Sequence, residues 1–455
     1  MFLIFFSITL IFANIYCFIK KKYLSLFFPC FLLLPNFYAI EISKNFPLIT
    51  ITRVMILVLY LYAFFNRKRF FSFKEFLFHL AKKEYLFLLG YFIFRIIPNL
   101  FYITTYRDAI QTIFSIIFEQ FAVLLAVFII APTKSEQFAI LKSVLWAATF
   151  LFIVGIFESL TSIRLFDNLY TVSRPMLNNY YIRLGLLRSV TTMGLPNFYG
   201  NMCILVTPLL FYVLYLTRRK IYIISLALDL LAIIHSGCRS DIIFYFLISF
   251  IYLILIFKDK IQLRLFLKHF FFSFAIVFVW ILVLSANNES ARYFYSGTAK
   301  SLLNTFGFDF DLNANAPTGV SGYGDNEDGT YSRLFQISAI DYTLKTKPFF
   351  GLGSGCESRG DIRYNYKGVL KPGYGFDVGI VQVICSEGLF GMIGYCSLFI
   401  SLFIVLFKAI NKQRFSIENS IFFLLIISYL LCTLSTSNMP FFLTTISVML
   451  YTRNL

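Results

Sequence analysis

Charged side chains are scarce in this 455-residue chain, at 14% of the residues, where soluble globular domains carry roughly 25%. Acids are scarcer still, with 23 Asp and Glu against 40 Lys and Arg. Three histidines and no CxxC pair argue against a zinc site, and no cofactor is expected. The eight cysteines do not make a disulfide framework. Cys17, Cys30, Cys203, Cys385, Cys396 and Cys432 fall in or beside apolar runs, which leaves Cys238 and Cys356 near polar sequence. No internal repeat is visible.

Apolar residues are abundant. They make up 59% of the chain, and phenylalanine alone supplies 59 residues. A globular core of this size could not hide that much apolar surface, and several stretches of about 18 to 20 residues lack charge altogether, so the solvent is lipid. A nucleic-acid-binding protein would gather its basic residues on soluble faces or arms. Here they stand in short clusters between apolar runs, so the expected partner is a bilayer and not a nucleic acid.

Hydropathy predicts about 13 spans, near 1–19, 23–40, 47–65, 84–102, 109–131, 138–160, 198–217, 221–236, 242–257, 269–285, 386–408, 419–436 and 438–451. The fold class expected is an all-α polytopic membrane protein of about 12–13 transmembrane helices. Every second loop is basic: Lys20–Lys22, Arg67–Arg69, Lys134, Arg218–Lys220, Lys258–Lys268, Lys408–Arg414. The short loops opposite hold few bases, among them Lys44, Arg107 and Arg239. The positive-inside rule then puts the clusters in the cytoplasm, the N-terminus outside and the C-terminus inside. Lys20–Lys22 follow the first span rather than precede it, the reverse of a cleavable signal peptide.

The same phase divides the chain into N-terminal spans (1–160), a first long outer loop (161–197), central spans (198–285), a large outer loop (286–385) and C-terminal spans (386–455). Loops this long are usually functional or disordered, so the chemistry is expected outside. In the larger loop, the Gly/Asn/Asp-rich stretch Asn313–Gly329 reads as mobile. A helix then starts near Thr330, with Arg333, Ile337, Ile340 and Leu344 on one face, and ends at Pro348, before Gly351, Gly353 and Gly355. The acids Asp325, Glu327 and Asp328 lack calcium-loop spacing.

The shorter loop carries Arg164, Arg174, Arg183 and Arg188 against Asp167, and the turn Ser236–Ser240 adds Arg239. Positive charge concentrated on the outer face calls for an anionic partner. Arginine suits a phosphate because its planar fork donates two parallel hydrogen bonds and keeps its proton. Arg183, Arg188, Arg239 and Arg333 are therefore the expected anion-binding group. Pro196 and Asn197 suit a helix start whose free N–H groups can also face an anion. Asp377, at the aqueous end of an apolar helix, is the candidate base and Glu387 a second one. Tyr180, Tyr181, Tyr295 and Tyr364 are candidates to stack on sugars, although tyrosines also populate interface belts. Within spans lie Arg53, Arg95, Glu119, Lys142, Glu158 and Asp229, each costing roughly 2.5 to 3.5 kcal/mol at mid-bilayer. They are expected to pair or face a cavity, Arg95 with Glu119.

Taken together, these residues resemble the O-antigen polymerase and O-antigen ligase superfamily of bacterial surface-polysaccharide assembly. The resemblance covers about residues 180–410 and rests on four short motifs: Arg188, Gly194, Pro196, Asn197 and Gly200; Cys238-Arg239; Arg333, Pro348, Gly351, Gly353 and Gly355; and Asp377, Gly388 and Gly391. The ligase branch usually has His followed by Asn at the last motif, where this chain has Asp377-Val378. That departure favours the polymerase branch.

The resemblance implies a GT-C-like architecture in the bacterial inner membrane, with a periplasmic active site. It implies metal-independent, inverting transfer of a growing glycan from undecaprenyl diphosphate to the next lipid-linked oligosaccharide repeat, with Arg188, Arg333 and Asp377 catalytic and Arg183, Arg188, Arg239 and Arg333 the diphosphate-binding group. A chain-length regulator and a flippase are implied as neighbours. The competing readings are ligation of finished glycan to lipid A core or protein, and transport of lipid-linked glycans.

Overall fold

The computed structural model describes residues 2–35, 37–42, 48–68, 82–172, 179–314, 316–317, 333–366, 368–374, 376, 378–412 and 416–433. The helices among them are α1 (Phe2–Ile19), α2 (Tyr23–Leu33), α3 (Ile51–Phe65), α4 (Lys83–Phe101), α5 (Arg107–Ile130), α6 (Lys134–Thr161), α7 (Pro196–Thr217) and α8 (Ile221–His235). They continue with α9 (Arg239–Ile256), α10 (Lys260–Asn287), α11 (Glu289–Thr305), α12 (Arg333–Thr346), α13 (Cys356–Arg359), α14 (Gly379–Lys412) and α15 (Ile417–Thr433). Three two-stranded antiparallel hairpins complete the set: β1 (Ala39–Ile40) with β2 (Ile49–Thr50), β3 (Ile182–Arg183) with β4 (Leu186–Leu187), and β5 (Arg363–Tyr366) with β6 (Val369–Pro372).

The chain is all-α in its framework, and seven of its described helices are long and apolar enough to cross a membrane. These are α4, α5, α6, α7, α9, α10 and α14, and α1, α2, α3, α8 and α15 are shorter apolar helices. The first twelve expected spans each coincide with one of these helices, and the thirteenth, 438–451, lies outside the described residues. Three ends differ from expectation by seven residues or more, and the first is that of α2, which stops at Leu33 rather than 40 because Leu34 is extended and Pro35 follows. Helix α10 begins at Lys260, well before 269, because the Asp259 side chain caps it, accepting from Ile261 N and Gln262 N at 3.1 Å each. Helix α14 begins at Gly379 rather than near 386.

The chain folds as two units. The first comprises Met1–Met55 and Ser135–Glu327. Its centre is α7, buried along most of its length and packed against α8, α9 and α10. Pro196 opens α7 at a position where its fixed φ is already helical. Small residues let this helix sit close to its neighbours. A Cβ on Gly200 would lie 1.9 Å from Asp241 Oδ2 of α9, and one on Gly155 of α6 would lie 2.2 Å from Tyr199 OH. The β3–β4 hairpin turns through Leu184 and Gly185, both at positive φ, the two-residue geometry that matches strand twist. Leu184 is held there by packing, buried with Ala291, Phe294 and Tyr295 of α11.

The second unit comprises Ile56–Lys134 and Asp328–Leu455. Helices α4 and α14 pack along each other, joined by an ion pair between Lys408 and the buried Glu84. A core of Ala339, Leu352, Cys356, Ile362, Tyr364, Phe376, Val378, Val381 and Cys385 ties α12, α13 and the β5–β6 hairpin to the start of α14. Helix α12 uses a different face from the expected one. Gln336, Ala339 and Thr343 are buried and Ile337 is 51% exposed. Small side chains allow the close approach that lets Thr343 Oγ1 donate to Cys385 Sγ at 3.4 Å. Thr330 and most of Asn313–Gly329, including Asp325, Glu327 and Asp328, lie outside the described residues. All eight cysteines carry free thiols.

Candidate functional site

In the first unit the chain reverses between α8 and α9 at Ser236–Cys238, with Gly237 at φ 67°. Two arginines from the β3–β4 hairpin and the loop after it close on this turn. Arg183 Nη1 donates to Gly237 O at 2.7 Å and its Nη2 to Ser301 Oγ at 3.3 Å. Arg188 Nε donates to Ser236 O at 2.9 Å, and its Nη2 reaches Asn197 Oδ1 at 3.0 Å and Cys238 Sγ at 3.1 Å. A Cβ at Gly237 would stand 3.0 Å from the Arg188 side chain, a tight contact, and the positive φ of the turn favours glycine there. Arg239 follows at once, as the first residue of α9.

The loop that delivers Arg188 is fastened from several sides. Ser189 N donates to His235 O at 3.0 Å, Ser189 Oγ to Gly155 O at 2.5 Å, and Thr191 N to the buried Glu158 Oε2 at 2.9 Å. His235 is itself held, sharing 2.9 Å hydrogen bonds with Ser159 Oγ through Nδ1 and with Tyr295 OH through Nε2. Glu158, one of the charged residues read within spans, thus serves as a backbone clamp.

The charge balance of this cluster is positive. Arg188 is half-buried and hydrogen-bonds only neutral acceptors, and Arg239, also half-buried, makes no hydrogen bond or ion pair among the described residues. Asp241 is buried beneath, in the first turn of α9. Burial pushes the Cys238 thiol up to about 11; Asp241 adds to the shift and Arg188 opposes it. Guanidinium groups satisfied by neutral acceptors keep their charge available to an anion. Arg164, by contrast, is consumed locally by Asp167, 3.2 Å away. Burial raises the Asp167 carboxyl above its ordinary range, and Arg164 lowers it.

In the second unit, α14 is broken at Gly388, whose φ of 64° and ψ of −153° are not helical. The glycine loop after Pro348 fills the break. Leu352 N donates to Cys385 O at 2.7 Å, Gly353 N to Ser386 O at 3.0 Å, Leu389 N to Pro348 O at 2.9 Å and Phe390 N to Phe349 O at 3.2 Å. The groups that an intact helix would satisfy internally are therefore bonded to the loop. Gly355 lets the chain pass Asp108, and Arg359 packs over the Tyr106 ring at 3.6 Å. The expected Arg95–Glu119 pair does not form: Arg95 pairs with Glu387 at 2.8 Å, and Glu119 accepts from Ser115 Oγ at 2.6 Å. Sequence proximity of spans does not determine which side chains face each other.

Of the expected diphosphate-binding group, Arg183, Arg188 and Arg239 converge on one turn. Arg333 opens α12 in the other unit, where its side chain is not among those described, and Asp377 and Arg174 lie outside the described residues. Among the tyrosines, Tyr180 is 56% exposed and Tyr181 partly so. Tyr295 is buried against His235 and Tyr364 against Phe376, so neither is open to a sugar. Sequence reasoning missed the contact of Asn197 and Cys238 with Arg188 and the mutual dependence of the Pro348 and Gly388 motifs. The only signal was that both motifs are rich in glycine. No protein-family model matches the chain, and no curated protein matches it.

Proposed function

We propose that this chain is a member of the O-antigen polymerase and ligase superfamily that polymerises undecaprenyl-diphosphate-linked oligosaccharide repeats at the periplasmic face of the bacterial inner membrane. One observation carries the reading: Arg183 and Arg188 are hydrogen-bonded to the turn that bears Arg239, with no carboxylate partner on Arg188 or Arg239 among the described residues. In displacement at an anomeric carbon the leaving diphosphate gains charge as its bond to carbon breaks. Preplaced guanidinium groups then stabilise the transition state more than the ground state.

The acceptor is a hydroxyl of the next lipid-linked repeat. Its oxygen bonds to the anomeric carbon with inversion, the diphosphate leaves on its polyprenol, and the hydroxyl proton passes to a carboxylate. Asp377 is the candidate for that acceptor on sequence grounds, and Arg333 a further anion contact. The architecture proposed is GT-C-like, with 12–13 spans and the 161–197 and 286–385 segments outside.

The test is a deletion strain complemented with wild type, Arg188→Ala, Arg239→Ala, Arg333→Ala or Asp377→Asn, its surface glycan resolved by size. Polymerase activity requires that the ladder collapse to a single capped repeat. Accumulation of lipid-linked polymer with no attachment would indicate a ligase, and normal ladders in all four variants would refute the site. Reporter fusions placing residues 180–190 or 330–380 in the cytosol would refute the sidedness.

A further inference from the structure

Glu387 stands one residue before the break in α14 and is buried. Arg95 of α4 holds it through Nε, 3.0 Å from Oε2, and Nη2, 2.8 Å from Oε1, the two-pronged geometry that suits a carboxylate. The two side chains are 11% and 3% exposed. Tyr91 and Tyr395 flank the guanidinium, their ring centres 5.4 and 5.1 Å from it. Arg95 Nη1 also donates to Tyr91 OH at 3.0 Å, and Tyr91 OH to Gln120 Oε1 at 3.3 Å. Gln120 belongs to Ser115–Phe121, the stretch of α5 wound as a π-helix, a local distortion that is frequent at functional sites.

The end of α4 also grips the glycine loop. Tyr102 OH donates to Gly351 O at 2.6 Å, and Ser354 Oγ to Asn99 Oδ1 at 2.6 Å. Asn99 in turn donates to Arg95 O at 2.9 Å. Helix α4 thus holds the carboxylate beside the break and the loop that fills it. With its side chain 3% exposed and both oxygens facing the Arg95 guanidinium, this carboxylate is closed to a substrate hydroxyl in the structure.

We propose that Glu387 is a positioning residue and not a proton acceptor: its ion pair with Arg95 fixes the break at Gly388, and so seats the Pro348–Gly355 loop and the segment just before the break. What the positioned segment does rests on the polymerase reading; the positioning itself rests on geometry alone.

The experiment uses the full chain in lipid nanodiscs and, in parallel, the complemented deletion strain. The variants are Arg95→Leu, Glu387→Leu, the Arg95→Leu/Glu387→Leu double and Glu387→Gln. Removing one partner of a buried pair leaves an uncompensated charge or donor, whereas apolar replacement of both is often tolerated. Hydrogen exchange of peptides covering 348–356 and 385–392 is therefore expected to rise on the order of a hundredfold in either Leu single variant and to return toward wild type in the double.

The glycan ladder is expected to follow the exchange, lost in the singles and recovered in the double. Glu387→Gln, which keeps an acceptor for Arg95, is expected to retain it. Unchanged exchange in both singles overturns the positioning role. A double variant, or Glu387→Gln, with protected loop peptides but no ladder shows that the carboxylate itself is required and overturns it equally. If wild type and deletion strain give the same glycan, the polymerase reading fails, while the exchange data still decide whether the pair fixes the break.

Discussion

Gly351 and Gly388 meet backbone to backbone, so that a Cβ on Gly351 would lie 2.6 Å from Gly388 N and one on Gly388 would lie 2.5 Å from Gly351 N. Both residues also occupy positive φ, 64° in each case. Thirty-odd residues of chain separate two motifs that are one object in space, a helix break and the loop that satisfies it.

Alanine at either glycine therefore meets two penalties, a left-handed backbone and a clash with main-chain atoms that cannot swing away. Gly388→Ala is expected to cost about 2 kcal/mol or more, read as a lowered thermal midpoint of the purified protein in detergent. The neighbouring Gly391→Ala would also clash, 2.5 Å from Glu387 Cβ, but without a positive φ it meets one penalty of the two and should cost less than Gly388→Ala.

Arg188 and Arg239 should separate stability from function. Arg188 makes three hydrogen bonds, two to the 236–238 turn and one to Asn197, so Arg188→Ala is expected to lose about 1.5 to 3 kcal/mol as well as long glycan chains. Arg239 makes none among the described residues, so Arg239→Ala should shorten chains with a thermal midpoint close to wild type. Glycan sizing and thermal unfolding of the same two variants check the contrast.

The Cys238 thiol, raised to about 11 by burial, is expected to resist alkylation. A raised thiol pKa lowers the thiolate fraction below that pKa, here about a hundredfold at neutral pH relative to an ordinary cysteine. With the sulfur also buried, reaction with N-ethylmaleimide should run slower than for a free thiol and quicken as pH rises toward 11. Mass spectrometry of the Cys238 peptide over a pH series measures it. A rate already at its plateau by pH 8 would contradict the raised value.

Asp259→Ala should cost about 1 kcal/mol by removing the cap of α10. The same change should raise hydrogen exchange at Ile261 and Gln262, the two amides that the Asp259 carboxylate accepts.

Much of the framework was legible in the residues. Long apolar runs placed twelve of the apolar helices, seven of them long enough to cross a membrane, because hydropathy is a local property, averaged over a window no longer than a helix. Local chemistry also marked Pro196 as a helix start and Pro348 as following a helix end, and both are so found. Where the reading failed, the deciding factor was not local. The α12 face was assigned from its apolar residues, whereas tight packing against α14 selected Gln336, Ala339 and Thr343. The early start of α10 turned on one capping side chain, Asp259, within a loop read as simply basic.

The amino-acid order by itself determined that apolar helices dominate this chain, and where arginines cluster between them. Tertiary structure alone decided that Arg95 answers to Glu387, 292 residues away, and not to Glu119 nearby. It also decided that Arg188 rests on the turn before Arg239, and that the Pro348 loop repairs a helix broken at Gly388. Burying apolar surface is nearly indifferent to which neighbour supplies it, so composition suffices to foresee it. A hydrogen bond or ion pair forms only within a few tenths of an ångström and a narrow range of angles, and that precision is decided by how the helices pack.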